Sequence, residues 1–97
     1  MPTYVTLARW TDQGIRTVKE SPARLDAGRQ AFERMRATIK QFYLVTGRYD
    51  FIIVFEAPDD ETAVKLALAT CSLGNIRTET LRAFTEEEYR KIIAALP

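Results

Sequence analysis

The chain has 97 residues, of which 46% are hydrophobic and 28% charged, and its 14 Lys and Arg residues against 13 Asp and Glu leave a net charge of +1. This length predicts one domain spanning residues 1–97. A charge balance this even gives no electrostatic support for a nucleic acid or a membrane surface as partner. No apolar run is longer than Phe51–Phe55, which is too short to cross a bilayer.

The chain contains one cysteine, Cys71, and no histidine. A single cysteine cannot form an internal disulfide, which favours a reducing, cytoplasmic setting. Without histidine the chain lacks Ser–His and Cys–His nucleophile pairs, the usual general base and the commonest metal ligand. We therefore expect no metal and no cofactor.

The first third of the chain predicts a strand, a loop and a helix. Residues Thr3–Trp10 alternate and are rich in strand-forming side chains. The polar stretch Thr11–Glu20 shows little periodicity and predicts a loop. Ser21 followed by Pro22 is typical of a helix start, and apolar residues then recur at helical spacing up to about Ala37.

The middle of the chain predicts a β-hairpin. A second strand covers Ile39–Thr46, and Gly47 followed by Arg48 favours a two-residue type II′ turn into a third, strongly apolar strand that ends at Glu56. That turn fixes the register, which pairs Thr46 with Tyr49, Leu44 with Phe51, Phe42 with Ile53, and Lys40 with Phe55.

Helix signals then flank a last strand. The run Pro58–Glu61 supplies a carboxylate cap and acidic residues for the first turn of a helix, and Gly74 is the expected stop. Residues Asn75–Phe84 alternate as a strand. The run Thr85–Glu88 matches the capping box that opens a C-terminal helix.

The predicted element order is βαββαβ followed by a helix, without repeats or linkers. Two right-handed crossovers and one hairpin give an α+β, ferredoxin-like fold. Its four-stranded antiparallel sheet has the order 4-1-3-2, with the helices on one face. The other face should be too apolar to leave in water, which predicts a homodimer or a multiple of one. The residues assigned to that face are Tyr4, Ala8, Trp10, Val45, Ile52 and Val54.

Several segments resemble the GYD domain family, whose Gly-x-Tyr-Asp signature matches Gly47, Tyr49 and Asp50. Other similar segments cover nearly the whole chain: Met1–Val5, Thr11–Ile15, Phe42–Leu44, Glu56–Asp59 and Gly74–Thr80. Sequences of this family often end the first helix with glycine, where this chain has Met35–Thr38. The resemblance implies a ferredoxin-like fold of the dimeric α/β-barrel type, and it implies no particular activity.

The predicted topology brings four residues towards the hairpin end of the sheet: Trp10, Tyr43, Asp50 and Thr78. An aromatic wall with a few polar groups is the composition expected of a small-molecule site. In this hypothesis Asp50 orients a ligand that carries a hydrogen-bond donor or a positive charge. In the competing interpretation Asp50 caps amides of the turn or pairs with an arginine across the dimer, and the aromatic residues belong to a dimer interface.

Three classes of function remain open from the sequence. A non-catalytic small-molecule-binding or regulatory module is favoured by the absence of histidine. A cofactor-independent enzyme, such as an oxygenase or isomerase acting on a small organic substrate, is the first alternative. A purely structural oligomerisation unit is the second.

Overall fold

The computed structural model covers residues 1–97 and has four strands and four α-helices. The strands are β1 (Thr3–Trp10), β2 (Thr38–Leu44), β3 (Phe51–Glu56) and β4 (Ile76–Ala83). The helices are α1 (Asp12–Arg16), α2 (Ser21–Arg34), α3 (Asp60–Ser72) and α4 (Glu86–Ala94), with a 3₁₀ turn at Val18–Glu20. All strand pairs are antiparallel, and the order β2-β3-β1-β4 is the predicted order read from the opposite edge. The predicted α+β, ferredoxin-like arrangement is confirmed.

The buried core lies between the helices and one end of the sheet. In the β1–β3 register Tyr4 lies opposite Phe55, and these two rings stack with their centroids 5.2 Å apart. The core cluster consists of Tyr4, Phe32, Ala37, Ile39, Phe55, Ala57, Ala63 and Leu66. Its strand residues lie near the start of β1 and β2 and the end of β3. The opposite end of the sheet, where β1 finishes, is called the Trp10 end below.

The assignment of β1 side chains to the two faces of the sheet was wrong. Tyr4 and Ala8 are buried under the helices, and Trp10 is on the same face because strand residues two apart share a face. The uncovered face carries Val5 and Leu7 instead. Alternation defines which residues share a face, and only the pairing with β3 decides which of the two sets meets the helices.

The hairpin follows the predicted register from Gln41 to Leu44, including the predicted pair of Phe42 with Ile53. Leu44 pairs with Phe51, as predicted, but an irregularity near Lys40 puts Ile39 opposite Phe55. A β-bulge of this kind reverses the alternation of the residues before it, and Ile39 therefore joins the buried core.

The predicted two-residue turn is also wrong. The last backbone hydrogen bond of the hairpin runs from the N–H of Val45 to the carbonyl of Asp50, at 2.9 Å, and none joins Thr46 to Tyr49. The connection is therefore longer than a type II′ turn. Gly47 has φ +108°, a conformation that favours glycine.

The stretch predicted as a loop after β1 contains α1 and the 3₁₀ turn. Thr11 caps α1 by accepting a hydrogen bond from the Gly14 N–H at 3.1 Å. The Thr11 N–H donates to the carbonyl of Asn75, at 3.0 Å. Gly14 is buried, and a Cβ atom built on it would lie 2.0 Å from that same carbonyl oxygen. Contact with the start of β4 thus supports this five-residue helix.

Helix boundaries follow local signals with two exceptions. Asp59 caps α3, and the capping box of Thr85 and Glu88 opens α4, both as predicted. In contrast, α2 continues directly from the 3₁₀ turn, so Ser21 is not its cap. It ends through Arg36, whose φ of +61° takes the place of the usual glycine.

Helix α4 projects from the rest of the fold. None of its residues is buried, and it makes at most slight contact with the other elements. Its apolar side chains Tyr89, Ile92 and Ile93 are between 45% and 56% exposed. None of the helices combines the length and the apolar character that a membrane span requires.

Candidate functional site

A cavity of about 520 Å³ lies between α2, α3 and the sheet, and we call it the helix-side cavity. Phe32, Phe55 and Leu66 of the core cluster bound it at one end. Its walls continue to Trp10, Phe51 and further residues at the Trp10 end. The two helices touch each other little, so the space between them is not filled by side chains at this end. Side chains therefore fill the space between helices and sheet at the end where β1 begins, which we call the packed end. At the Trp10 end that space stays open, and we call it the hollow end.

Two of the four predicted site residues line this cavity, Trp10 and Thr78. The indole of Trp10 packs at a tilt against the ring of Phe51, with centroids 5.6 Å apart. The hydroxyl of Thr78 lies 3.3 Å from the Cys71 thiol. A half-buried aromatic ring and a hydroxyl thus remain within reach of a molecule in the cavity.

Asp50 does not line the cavity, and its carboxylate is occupied by the main chain. Its Oδ2 atom accepts a hydrogen bond from the Trp10 N–H at 2.9 Å, and its own N–H donates to the carbonyl of Ala8 at 2.8 Å. It forms no ion pair. Asp50 thus caps a backbone amide, but that amide belongs to Trp10 at the end of β1 and not to the hairpin turn that the competing interpretation named.

Tyr43 lies on the other side of the sheet from Trp10 and Thr78. It pairs with Ile52 on the uncovered face, and it is 54% exposed. The structure therefore does not bring the four residues together around one space.

The signature residues hold the hairpin tip against the rest of the sheet. The guanidinium of Arg9 lies 4.9 Å from the centre of the Tyr49 ring, and its Nε donates to the Arg48 carbonyl at 2.8 Å. The hydroxyl of Tyr49 donates to Glu79 at 3.2 Å. Together with the positive φ of Gly47 and the amide contact of Asp50, these contacts give the signature a structural role.

Arg24 is a cavity residue that sequence reasoning missed. It lies in the first turn of α2, is half-buried, and lines the helix-side cavity. Its guanidinium donates to the Thr17 hydroxyl at 3.0 Å and to the carbonyls of Thr17 and Gly14 at 3.3 and 3.2 Å. Arg24 could not be singled out because the segment that receives these bonds was expected to be a loop, although Thr11 before Asp12 was a usable helix-capping signal.

A second polar cluster lies beside the packed end of the sheet. The hydroxyl of Tyr4 donates to the Asp60 carboxylate, and the guanidinium of Arg82 lies 5.6 Å from the centre of the Tyr4 ring. Burial, together with the hydrogen bond to Asp60, raises the pKa of Tyr4 to about 12. The phenol therefore stays protonated at neutral pH, as its hydrogen bond to a carboxylate requires.

The uncovered face of the sheet carries an apolar strip. Cross-strand pairs place Val5 beside Val54, and Leu7 beside Ile52. Leu81 lies opposite Val5 on the other neighbouring strand and is 46% exposed. No helix covers these residues, so they form the apolar centre of this face.

A curated protein, a solved structure and a family model are all similar to this chain over most of its length. A curated protein of Thermus thermophilus, named glutamine synthetase and cystathionine beta-lyase binding protein, is 37% identical over 84 residues, which is 86% of this chain and 88% of that protein. The crystal structure of TTHA0845, also from Thermus thermophilus, superposes with a TM-score of 0.56 at 28% identity, covering 88% of this chain and 95% of that one. The family model of the GYD domain matches residues 4–93. This chain therefore belongs to the GYD domain family.

Proposed function

We propose that the protein is a homo-oligomeric binding module that holds a small, mostly apolar molecule in the helix-side cavity and has a regulatory role. The cavity itself carries this proposal. Its volume of about 520 Å³ falls within the roughly 300–1,000 Å³ that is typical of ligand sites. Its walls are largely apolar, with hydroxyl groups such as the Thr6 and Thr80 pair, whose oxygens lie 3.1 Å apart.

The composition of the cavity supports binding rather than catalysis. No Asp, Glu or Lys side chain lines it, and the chain has no histidine. A general base within hydrogen-bond reach of a substrate is what acid–base chemistry needs. A cofactor-independent oxygenase or isomerase that uses Asp50 as base is disfavoured, because that carboxylate already accepts the Trp10 N–H outside the cavity.

The regulatory part of the proposal rests on the relative from Thermus thermophilus, whose name describes binding to glutamine synthetase and cystathionine beta-lyase. We propose that this chain likewise acts by binding an enzyme of that kind. We place the protein in the cytoplasm, since the thiol of Cys71 is free.

Binding is tested with the neutral fluorescent probe N-phenyl-1-naphthylamine, whose emission rises in apolar surroundings. We expect saturable binding by the wild-type protein. Gly28 lines the cavity, and a Cβ atom built there meets no atom within 4 Å. The side chain in a Gly28→Leu variant can therefore start into the cavity without meeting other atoms at Cβ, and it should weaken probe binding at least tenfold by taking up ligand space.

Gln30→Leu is the matched control, because Gln30 is exposed on the same helix and does not line the cavity. It should bind the probe as the wild type does. If the wild type shows no saturable binding, or if both leucine variants bind equally well, the cavity does not have the proposed role.

The proposed homodimer forms through the uncovered sheet face. Antiparallel sheets leave a face in water when that face is mostly polar, and the strip around Leu7 and Ile52 is apolar. Sedimentation equilibrium at micromolar concentration should give the mass of a dimer, and Leu7→Lys should give a monomer. Val64→Lys, an equally drastic change at a 56%-exposed position on α3, should leave the dimer intact. A monomeric wild type would contradict this proposal.

A further inference from the structure

The helix-side cavity carries a positive charge that no acidic side chain balances. Arg24 and Arg34 are its only charged lining residues. Neither of them forms an ion pair. Arg34 is exposed at the far end of α2, whereas Arg24 is half-buried near the start of the helix. The positive charge within the cavity wall therefore belongs mainly to Arg24.

The guanidinium of Arg24 is held in place by neutral acceptors only. Nη1 donates to both oxygens of Thr17, and Nη2 donates to the carbonyl of Gly14. These contacts fix α1 and α2 relative to each other and restrict the side chain to one position. An arginine that is already ordered loses little further conformational entropy when it binds an anion.

Two donors of the same group remain without a partner in the chain. A guanidinium has five N–H groups, and the contacts to Thr17 and Gly14 engage three of them. No acceptor in the chain meets Nε. Two free donors are the number that a carboxylate engages when arginine binds it through two parallel hydrogen bonds.

Arg24 also lies at the hollow end of the cavity. Its acceptor Gly14 packs against Asn75, which precedes the residue paired with Trp10. An apolar body extending from this end would contact the aromatic rings of Trp10 and Phe51, and it would reach the core cluster at Phe32.

We propose that the ligand of the helix-side cavity is an amphipathic monocarboxylate, with its carboxylate on Arg24 and its apolar chain or ring directed along the cavity. This inference rests on the proposed function, since it specifies the ligand class of the same site. It differs from the sequence-based hypothesis, in which Asp50 selected a positively charged ligand or a hydrogen-bond donor. The cavity has no acidic lining residue to do so.

The test compares decanoate with 1-decanol, which share a chain length and differ in the head group. Each is titrated against bound N-phenyl-1-naphthylamine at pH 8, where the carboxylic acid is ionised. With Arg24 in place, decanoate should displace the probe at concentrations no higher than decanol does. In Arg24→Gln, decanoate should bind at least tenfold more weakly, because the charge-assisted hydrogen bonds to its carboxylate are lost. The affinity for decanol should change less than twofold.

Arg34→Gln is the matched control, because it removes the same charge from the other arginine that lines the cavity. It should alter neither affinity by more than twofold. Equal weakening of decanoate in both variants would show a general charge effect and overturn the assignment to Arg24. Unchanged decanoate affinity in Arg24→Gln would overturn it as well, and continued probe binding would leave the proposed function intact.

Arg24→Gln removes contacts to Thr17 and Gly14, so its folding is checked by circular dichroism and by retained probe binding. If this variant does not fold, the wild-type measurement decides. Without an anion site, transfer of a carboxylate into an apolar cavity is unfavourable, and decanol would then displace the probe at far lower concentrations than decanoate. That result would overturn the inference. Absence of any probe binding by the wild type would remove the proposed function and this inference together.

Discussion

Replacement of Phe55 by alanine is expected to lower the free energy of unfolding by about 3–5 kcal/mol, the usual range for a buried phenylalanine. The Phe55 side chain is 2% exposed. It stacks on Tyr4 and meets Phe32 edge-on, with centroids 5.1 Å apart in the second pair. Its removal would leave a void at the one end of the sheet that is closely packed. Urea denaturation monitored by circular dichroism measures the loss.

Phe42→Ala is the control for this prediction. Both phenylalanines border the helix-side cavity, and Phe42 stacks on Phe51 at 5.2 Å, but Phe42 is only half-buried and does not belong to the core cluster. Its truncation removes less buried apolar surface, so we expect a loss of roughly 1–2 kcal/mol. Equal losses for the two variants would contradict the division of the sheet into a packed end and a hollow end.

Gly14→Ala should be the most damaging single-methyl substitution, with a loss of about 3 kcal/mol in the free energy of unfolding, at the upper end of overpacking effects. The added Cβ would lie 2.0 Å from the carbonyl oxygen of Asn75. Both groups belong to backbone that is held by other bonds, so α1 would have to move away from the start of β4. That movement would break the bond from the Thr11 hydroxyl to Gly74 and the contacts of Gln13 with Leu73 and Asn75.

Gly28→Ala tests whether the effect belongs to the position rather than to the residue type. Gly28 lies inside α2, and its Cβ position meets no atom within 4 Å. Alanine there should raise the free energy of unfolding by about 0.5–1 kcal/mol, because glycine is a poor helix former. Thermal denaturation of the two variants should therefore shift in opposite directions. A Gly14→Ala protein as stable as the wild type would mean that α1 does not pack closely on β4.

The fold was predictable because most of its elements are specified by local signals. Alternation defined β1, the carboxylate of Asp59 and the capping box at Thr85 defined two helix starts, and Gly74 defined a helix end. The order of the strands followed from the handedness of crossover connections. The bulge near Lys40 was not predictable, because no residue type in this segment marks a bulge. It shows only in the pairing of β2 with β3.

The candidate site was less predictable because it depends on contacts between distant segments. Trp10 and Tyr43 were grouped by their position along the strands, yet pairing with β3 places them on opposite faces of the sheet. The position of Arg24 depends on its contacts with α1, and a five-residue helix is too short to show helical periodicity, so the Thr11 cap was its one local signal. Close packing of Gly14 on Asn75 supports that helix, and such a contact between distant segments cannot be predicted from the hydrophobic periodicity of the sequence.

The exposure of helix α4 has a consequence for its local stability and dynamics. It spans nine residues, and none of them is buried. Helices shorter than about 12–15 residues are marginal in water, so the capping box and the exposed ion pairs of Arg90 with Glu86 and Lys91 with Glu87 are its main internal support. The amides of α4 should exchange with solvent far faster than those of β1 and β3, whose backbone is held on both sides. Any surface that covers Tyr89 and Ile93 would have to supply the free energy that orders this helix, and its folding would then be coupled to that encounter.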